Sequence, residues 1–167
     1  MQSTAGAPFI WPVRVYYEDT DAGGIVFYAN YLKFFERART EWLRSGGIDQ
    51  SRLATSDNLM FVVMHTAVDY HSPAKLDNEL KLSVVVERLG RASVEFVQQA
   101  WRVDVDEGAS AASAVRTSVQ RPGATVANGT TSCLLATARI RVACVDQHTL
   151  RPRAIPDLVR NFAENRT

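Results

Sequence analysis

The residues whose types and spacing could do chemistry stand together near the start of the chain, in Glu18-Asp19-Thr20-Asp21-Ala22-Gly23-Gly24-Ile25-Val26-Phe27-Tyr28. Carboxylates come first, a glycine pair follows, and a long helical pattern opens behind them. A helix N-terminus presents unpaired N–H groups and a partial positive charge. Such groups hold a carbonyl oxygen as it becomes anionic. Gly23 and Gly24 let backbone approach a substrate closely. A carboxylate beside them could attack an acyl carbon or take a proton from water. The same residues also fit an Asx turn or a helix cap with no chemistry, and the segment alone does not choose between the two.

Other chemistries lack their patterns. The chain has no Gly-x-Ser-x-Gly elbow, no phosphate loop, no Gly-x-Gly-x-x-Gly and no His-Glu-x-x-His. Asp19-Thr20-Asp21 starts like a calcium loop, but Gly23 stands at the next ligand position and Asn30 at the final acidic one. Cys144 and His148 make half of a metal site without partners, so no metal is expected. His65 and His71 lie on or beside a strand and are expected to be structural, with His71 placed to border a pocket.

The elements that must position the first segment follow from periodicity. Pro12 to Glu18 reads as a strand and Asp19 to Gly24 as a turn. From Phe27 or Tyr28 to Arg44, the apolar residues Tyr28, Tyr31, Leu32, Phe35, Ala38 and Trp42 recur at helical spacing. Charged residues, among them Glu36 and Arg39 as a pair, take the remaining surface. Phe34 beside Phe35 predicts burial over much of the helix circumference, as under a wrapping sheet. Gly46-Gly47 ends the helix. Strands are predicted over Leu59–Tyr70, Leu80–Val86, Ser93–Val105 and Cys133–Val145, with a hairpin at Leu89-Gly90-Arg91 and a bulge near Gln98-Gln99. Pro156 to Ala163 predicts a short helix with proline at its first position. The Ala/Ser/Thr/Gly-rich stretch from Glu107 to Ser132 has little to bury and predicts a flexible loop over about 107–132. The order predicts an α+β fold with a mostly antiparallel sheet.

The 167 residues, 46% hydrophobic and 22% charged, suit one domain over 1–167. A net charge of +1 gives no electrostatic reason to expect nucleic acid or an anionic membrane surface. No apolar run approaches the ~18 residues of a membrane helix, and no signal pattern opens the chain, so a cytoplasmic location is expected. Cys133 and Cys144 would stand about 36 Å apart on one strand, far beyond the ~7 Å a disulfide spans.

The segment from Tyr17 through Tyr28 to Phe34-Phe35-Glu36-Arg37-Ala38-Arg39-Thr40-Glu41-Trp42-Leu43-Arg44 resembles the signature of the hotdog-fold acyl-CoA thioesterases. It is most similar to the YbgC-like branch of the 4-hydroxybenzoyl-CoA thioesterase group. The likeness continues through Phe61-Val62-Val63, Val68-Asp69-Tyr70-His71-Ser72-Pro73-Ala74-Lys75-Leu76-Asp77, Cys144-Val145-Asp146 and Arg151-Pro152-Arg153-Ala154-Ile155-Pro156. The resemblance implies a curved antiparallel sheet wrapped around one long central helix, and a homodimer or homotetramer with active sites between subunits. It implies hydrolysis of an acyl-CoA, or of an acyl carrier protein thioester, with no cofactor beyond the coenzyme A of the substrate. The catalytic carboxylate then falls at Asp21 and the oxyanion donor at the Tyr28 backbone N–H. Gly23, Gly24 and Ile25 line the substrate, Arg91 matches a phosphate contact, and Arg151 and Arg153 are further phosphate candidates. Many YbgC-like members carry His at the position of Tyr28, so acyl preference does not transfer. The other function weighed is a non-catalytic acyl-thioester binder, or scaffold, of the cell-envelope machinery.

Overall fold

The computed structural model describes residues 8–105, 124–127 and 130–166. Its strands are β1 (Phe9–Arg14), β2 (Leu59–Tyr70), β3 (Glu79–Leu89), β4 (Ser93–Val105), β5 (Ala124–Ala127) and β6 (Thr130–Asp146). Its helices are α1 (Asn30–Ser45), α2 (Gln50–Asp57) and α3 (Asp157–Glu164), with a 3-10 turn at Tyr17–Asp19. The strands form one antiparallel sheet in the order β1-β3-β4-β6-β2, with β5 added beside β6.

Alternation builds the inner face of that sheet. Leu80, Leu82, Val84 and Val86 of β3 are buried, as are Val94, Phe96 and Ala100 of β4 and Ala136, Ala138, Ile140 and Val142 of β6. They close on α1, where Tyr31, Phe34, Phe35, Ala38, Trp42 and Leu43 are buried. Phe34 and Phe35 are both fully covered, so the helix is enclosed well beyond one stripe, as predicted. At roughly 1.5–3 kcal/mol for each large apolar side chain buried, this is the main source of stability.

Several expectations are corrected. β1 spans Phe9–Arg14 rather than Pro12–Glu18, because the chain turns at Tyr17–Asp19. α1 starts at Asn30, two residues after Tyr28, which leaves Tyr28 in the preceding turn. The bulge expected in β4 near Gln98-Gln99 is not there; the register of β4 with β6 shifts between Ala100 and Trp101, where the extra residue is Leu135 of β6. Gln98 had suggested a break in phase, but it points inward and is fully buried. Its amide donates to the Phe35 carbonyl at 3.1 Å, so an inward polar residue interrupts the apolar pattern without interrupting the strand. Arg39 does not pair with Glu36; it donates to Gln98 Oε1 at 2.8 Å. Pro156 is the cap of α3, one residue outside the helix. In the stretch read as a loop over 107–132, β5 and the first residues of β6 are strands. Residues 106–123 and 128–129 lie outside the described residues. Cys133 and Cys144 are buried free thiols on the same strand. No described helix is long and apolar enough to cross a membrane, and no metal-binding cluster occurs among the described residues.

Candidate active site

The Gly-rich segment folds as a narrow strap. Thr20 bridges Val26, and Ile25 bridges Lys75. The Val26 N–H donates to the Ala74 carbonyl at 2.9 Å, fixing the strap to the stretch between β2 and β3. Its tip is a tight turn: Asp21 N–H donates to Ile25 O at 2.9 Å and Gly24 N–H to Asp21 O at 3.0 Å. Gly24 has φ +73°, which side-chain-bearing residues rarely adopt. A Cβ on Gly23 would lie 3.0 Å from Asp21 Oδ1.

The two aspartates of the pair have different tasks. Asp19 is buried. Its carboxylate accepts the Tyr16 N–H at 2.9 Å, and its carbonyl accepts the Phe27 N–H and the Asn30 side chain, both at 2.9 Å. It ties the start of α1 to the strap. Asp21 is exposed, with Oδ1 accepting the Gly23 N–H at 2.7 Å. The Asx turn that the sequence left open is therefore present. It uses one carboxylate oxygen, and no described residue bonds the other.

The chain then turns into α1 through Phe27, Tyr28 and Ala29. Asn30 N–H donates to Phe27 O at 2.9 Å. Among the described residues no acceptor takes the Tyr28 N–H, so this amide is open at the helix entrance. The Tyr28 carbonyl accepts the Tyr70 hydroxyl at 2.8 Å. Tyr70 meets Tyr28 and Tyr31 edge-on, at 6.4 Å and 5.6 Å between ring centres. Burial raises the pKa of Tyr70, and the neighbouring Tyr28 raises it further, so its hydroxyl is a donor at neutral pH. Sequence reasoning missed Tyr70, although it lies within the resembling segment.

These aromatics line a cleft of about 340 Å³, together with Ile25, Val26, His71 and Pro73. Ile25 lines this cleft, and its carbonyl accepts the Asp21 N–H of the strap. His71 also borders the cleft, its Nε2 lying 3.1 Å from the Thr137 hydroxyl. His65 is on the exposed outer face of the sheet, beside Arg141.

The expected phosphate contacts are elsewhere in the chain. Arg91 is in the β3–β4 hairpin, whereas the strap abuts the segment leading into the other end of β3. Those ends are about 33 Å apart at ~3 Å of rise for each of eleven residues. Arg151 and Arg153 accompany Arg91: Ile155 N–H donates to Arg91 O at 2.9 Å, and Arg153 N–H to Cys144 O at 2.9 Å. Arg153 pairs with Asp146 at 3.1 Å. The Arg91 and Arg151 guanidinium groups have no partner among the described residues. Arg160 holds the hairpin tip by donating to Gly90 O at 2.9 Å, a role the sequence did not signal.

A sequence model of the thioesterase superfamily matches residues 23–109. The chain belongs to this superfamily. Among its relatives is the acyl-CoA thioesterase YbgC of Haemophilus influenzae, 38% identical over 91% of this chain and 91% of that protein. The acyl-CoA thioester hydrolase YbgC of Escherichia coli is 36% identical over 93% of this chain and 96% of that protein. Solved thioesterase-superfamily structures share the hotdog fold. A 1,4-dihydroxy-2-naphthoyl-CoA thioesterase from Synechocystis superposes with a TM-score of 0.73 at 15% identity, covering 95% of this chain and 97% of its own. A probable thioesterase from Bartonella henselae gives 0.68 at 29% identity, covering 90% and 100%.

Proposed function

We propose that this protein hydrolyses acyl-CoA thioesters, with Asp21 as the catalytic carboxylate and the Tyr28 N–H as the oxyanion donor. The observation that carries this reading is the pairing, on one strap and its helix entrance, of an open carboxylate oxygen with an open amide. Superfamily membership supports the thioester as the substrate bond. The carboxylate either attacks the thioester carbonyl or takes a proton from the water that does. In both cases negative charge develops on the carbonyl oxygen, the Tyr28 N–H stabilises it, and the C–S bond breaks to release coenzyme A; in the nucleophilic route water then cleaves the acyl–Asp21 anhydride to give the acid and restore the carboxylate. One such donor contributes about 3 kcal/mol in the transition state. No metal or redox group is required by these steps. Acyl carrier protein presents the same thioester and is a second substrate class.

The site is completed by a second copy of the chain. β2 ends the sheet with one edge unpaired, and Val63 and Met64 on it are 54% and 62% exposed. Antiparallel pairing of β2 with its partner's β2 joins opposite ends of the two sheets. It brings the end with Arg91 and Arg151 of one protomer toward the strap of the other. Arg91, Arg151 and Arg153 then serve the phosphates of a coenzyme A bound across the interface, Arg153 less readily because Asp146 holds it.

The test is thiol release over short, long, branched and aromatic acyl-CoAs with Asp21→Asn. The variant is expected to keep its fold and bind acyl-CoA while losing turnover. Full activity would overturn the mechanism. Binding without turnover in the unaltered protein would favour the scaffold reading.

A further inference from the structure

Away from the strap, a groove of about 110 Å³ runs between α1, α2, α3 and the inner sheet face. Its walls are mostly apolar, with Trp42, Leu43, Phe61, Val94, Phe96 and Val142 among them. One wall is a cation. Arg39 is half-buried, and among the described residues its only side-chain hydrogen bond is from Nη1 to Gln98 Oε1 at 2.8 Å. Gln98 is itself fully buried and held by the Phe35 carbonyl, so the guanidinium is oriented from behind. No carboxylate pairs with Arg39 among the described residues. Among the described residues no buried side-chain nitrogen or oxygen lacks a partner, so the unused Arg39 N–H groups are not sealed in protein, and Arg39 lines the groove. Burial lowers the Arg39 pKa to about 10, and it stays charged at neutral pH. Glu36 acts on this cation from the exposed rim but does not bond it, so the desolvated guanidinium lacks a directly paired anion, and one supplied from outside offsets that cost.

We propose that this groove binds a short carboxylate, its two oxygens on the Arg39 guanidinium and its alkyl tail against the apolar wall. The guanidinium fork matches a carboxylate in two parallel bonds. The volume is below the ~150 Å³ of a cavity that holds benzene, which limits the tail to about three to five carbons. Among the described residues Glu36 is the only other charged group on the wall. It is exposed at the rim with its Oε1 taken by the Thr40 hydroxyl at 2.7 Å, and it favours the charged form of Arg39 without bonding it. Two sources fit the chemistry: a free acid, or the far end of an acyl group that carries its own carboxylate.

The test titrates the full-length protein with sodium butanoate and follows two NMR resonances, the Arg39 Nε–H and the indole N–H of Trp42 on the groove wall, with butylamine as control; the Trp42 signal is the readout in Arg39 variants. A saturable shift in the millimolar range is expected from butanoate alone. Arg39→Met should weaken binding at least tenfold. Should that variant not fold, Thr40→Phe closes the groove mouth with Arg39 intact and should weaken binding similarly. A second arm compares kcat/KM for succinyl-CoA and butanoyl-CoA. A succinyl preference that Arg39→Met removes identifies the acyl end as the ligand, whereas butanoate binding without it identifies a free acid. No shift at tens of millimolar together with no such preference overturns the proposal. The NMR arm needs no turnover, so its outcome is independent of the catalytic reading.

Discussion

Asp19 and Asp21 show how far residue types alone carry an argument. Both are carboxylates of one turn, and residue type does not divide their roles, although the family resemblance singles out Asp21. Burial divides them: Asp19 is spent on the backbone of the strap and helix entrance, and Asp21 keeps an oxygen open. Tyr70 is a comparable case. Its strand phase leaves it exposed at the end of β2, and only the fold brings its hydroxyl to the Tyr28 carbonyl, 42 residues away. That bond fixes the peptide following the proposed donor. Tyr70→Phe keeps the ring contacts and removes the hydrogen bond, worth roughly 1 kcal/mol. The expected outcome is a kcat lower by about fivefold, with KM unchanged and, because the bond is solvent-exposed, a thermal midpoint that moves little. An equal loss in kcat and stability would mean that Tyr70 serves folding alone.

At the scale of elements, strong periodicity was legible and weak periodicity was not. β2 and β4 match their predicted bounds, and α1 differs chiefly at its start, where Tyr28 belongs to the turn. α2 was missed because Leu53 is its only buried residue, so it has no apolar stripe. Its signals are caps instead. Asp49 accepts the Ser51 N–H at 2.8 Å, and Asn58 ends the helix at φ 52°. β5 was missed under an Ala/Ser/Thr-rich composition, although Asn128-Gly129 between β5 and β6 is a strong hairpin dipeptide. The end of α1 is also more than a stop signal. A Cβ at Gly46 would lie 2.5 Å from the Phe162 ring of α3, which also stacks on Trp42 at 4.9 Å. Gly46→Ala must displace α3, and it should cost about 1–3 kcal/mol as overpacking does, read as a lower denaturation midpoint at unchanged m.

The turn after β6 gives a pH-dependent element. Asp146 Oδ1 accepts the Thr149 and His148 N–H groups at 2.9 and 3.0 Å, and Arg153 lies beside Oδ2. The two backbone bonds, with the Thr149 hydroxyl and Arg153, hold its pKa below the ordinary 3.8. A lowered folded pKa means that the contribution is fully present above the unfolded value and fades as pH falls through the folded one. Asp146→Asn should therefore flatten the acid limb of a stability–pH curve. Urea midpoints at neutral pH and at successive steps below pH 4 check this; an acid limb identical to that of the unaltered protein would contradict it.

For the whole molecule, the decisive fact is a separation. The strap and the free arginines belong to opposite ends of one sheet, yet a coenzyme A thioester needs both its carbonyl and its phosphates held. Local pattern could mark each group but not this distance, which depends on the register of β3 with β1 and β4. The proposed two-fold axis at the β2 edge would resolve it by crossing the ends, so each active site would take Asp21 from one chain and Arg91 from the other. This arrangement predicts complementation. Asp21→Asn homodimers lack the carboxylate, and Arg91→Glu homodimers lack a phosphate contact, so each alone should be weak. In a heterodimer of the two, one site combines both defects and the other has neither. If equal amounts re-pair at random, half of the dimers are mixed and half of their sites are intact, so about a quarter of the unaltered activity returns. Mixing after reversible dissociation, with thiol release as the readout, measures this directly. Recovery no greater than the mean of the two parents would place Arg91 and Asp21 in service of separate sites and remove the shared interface from the mechanism.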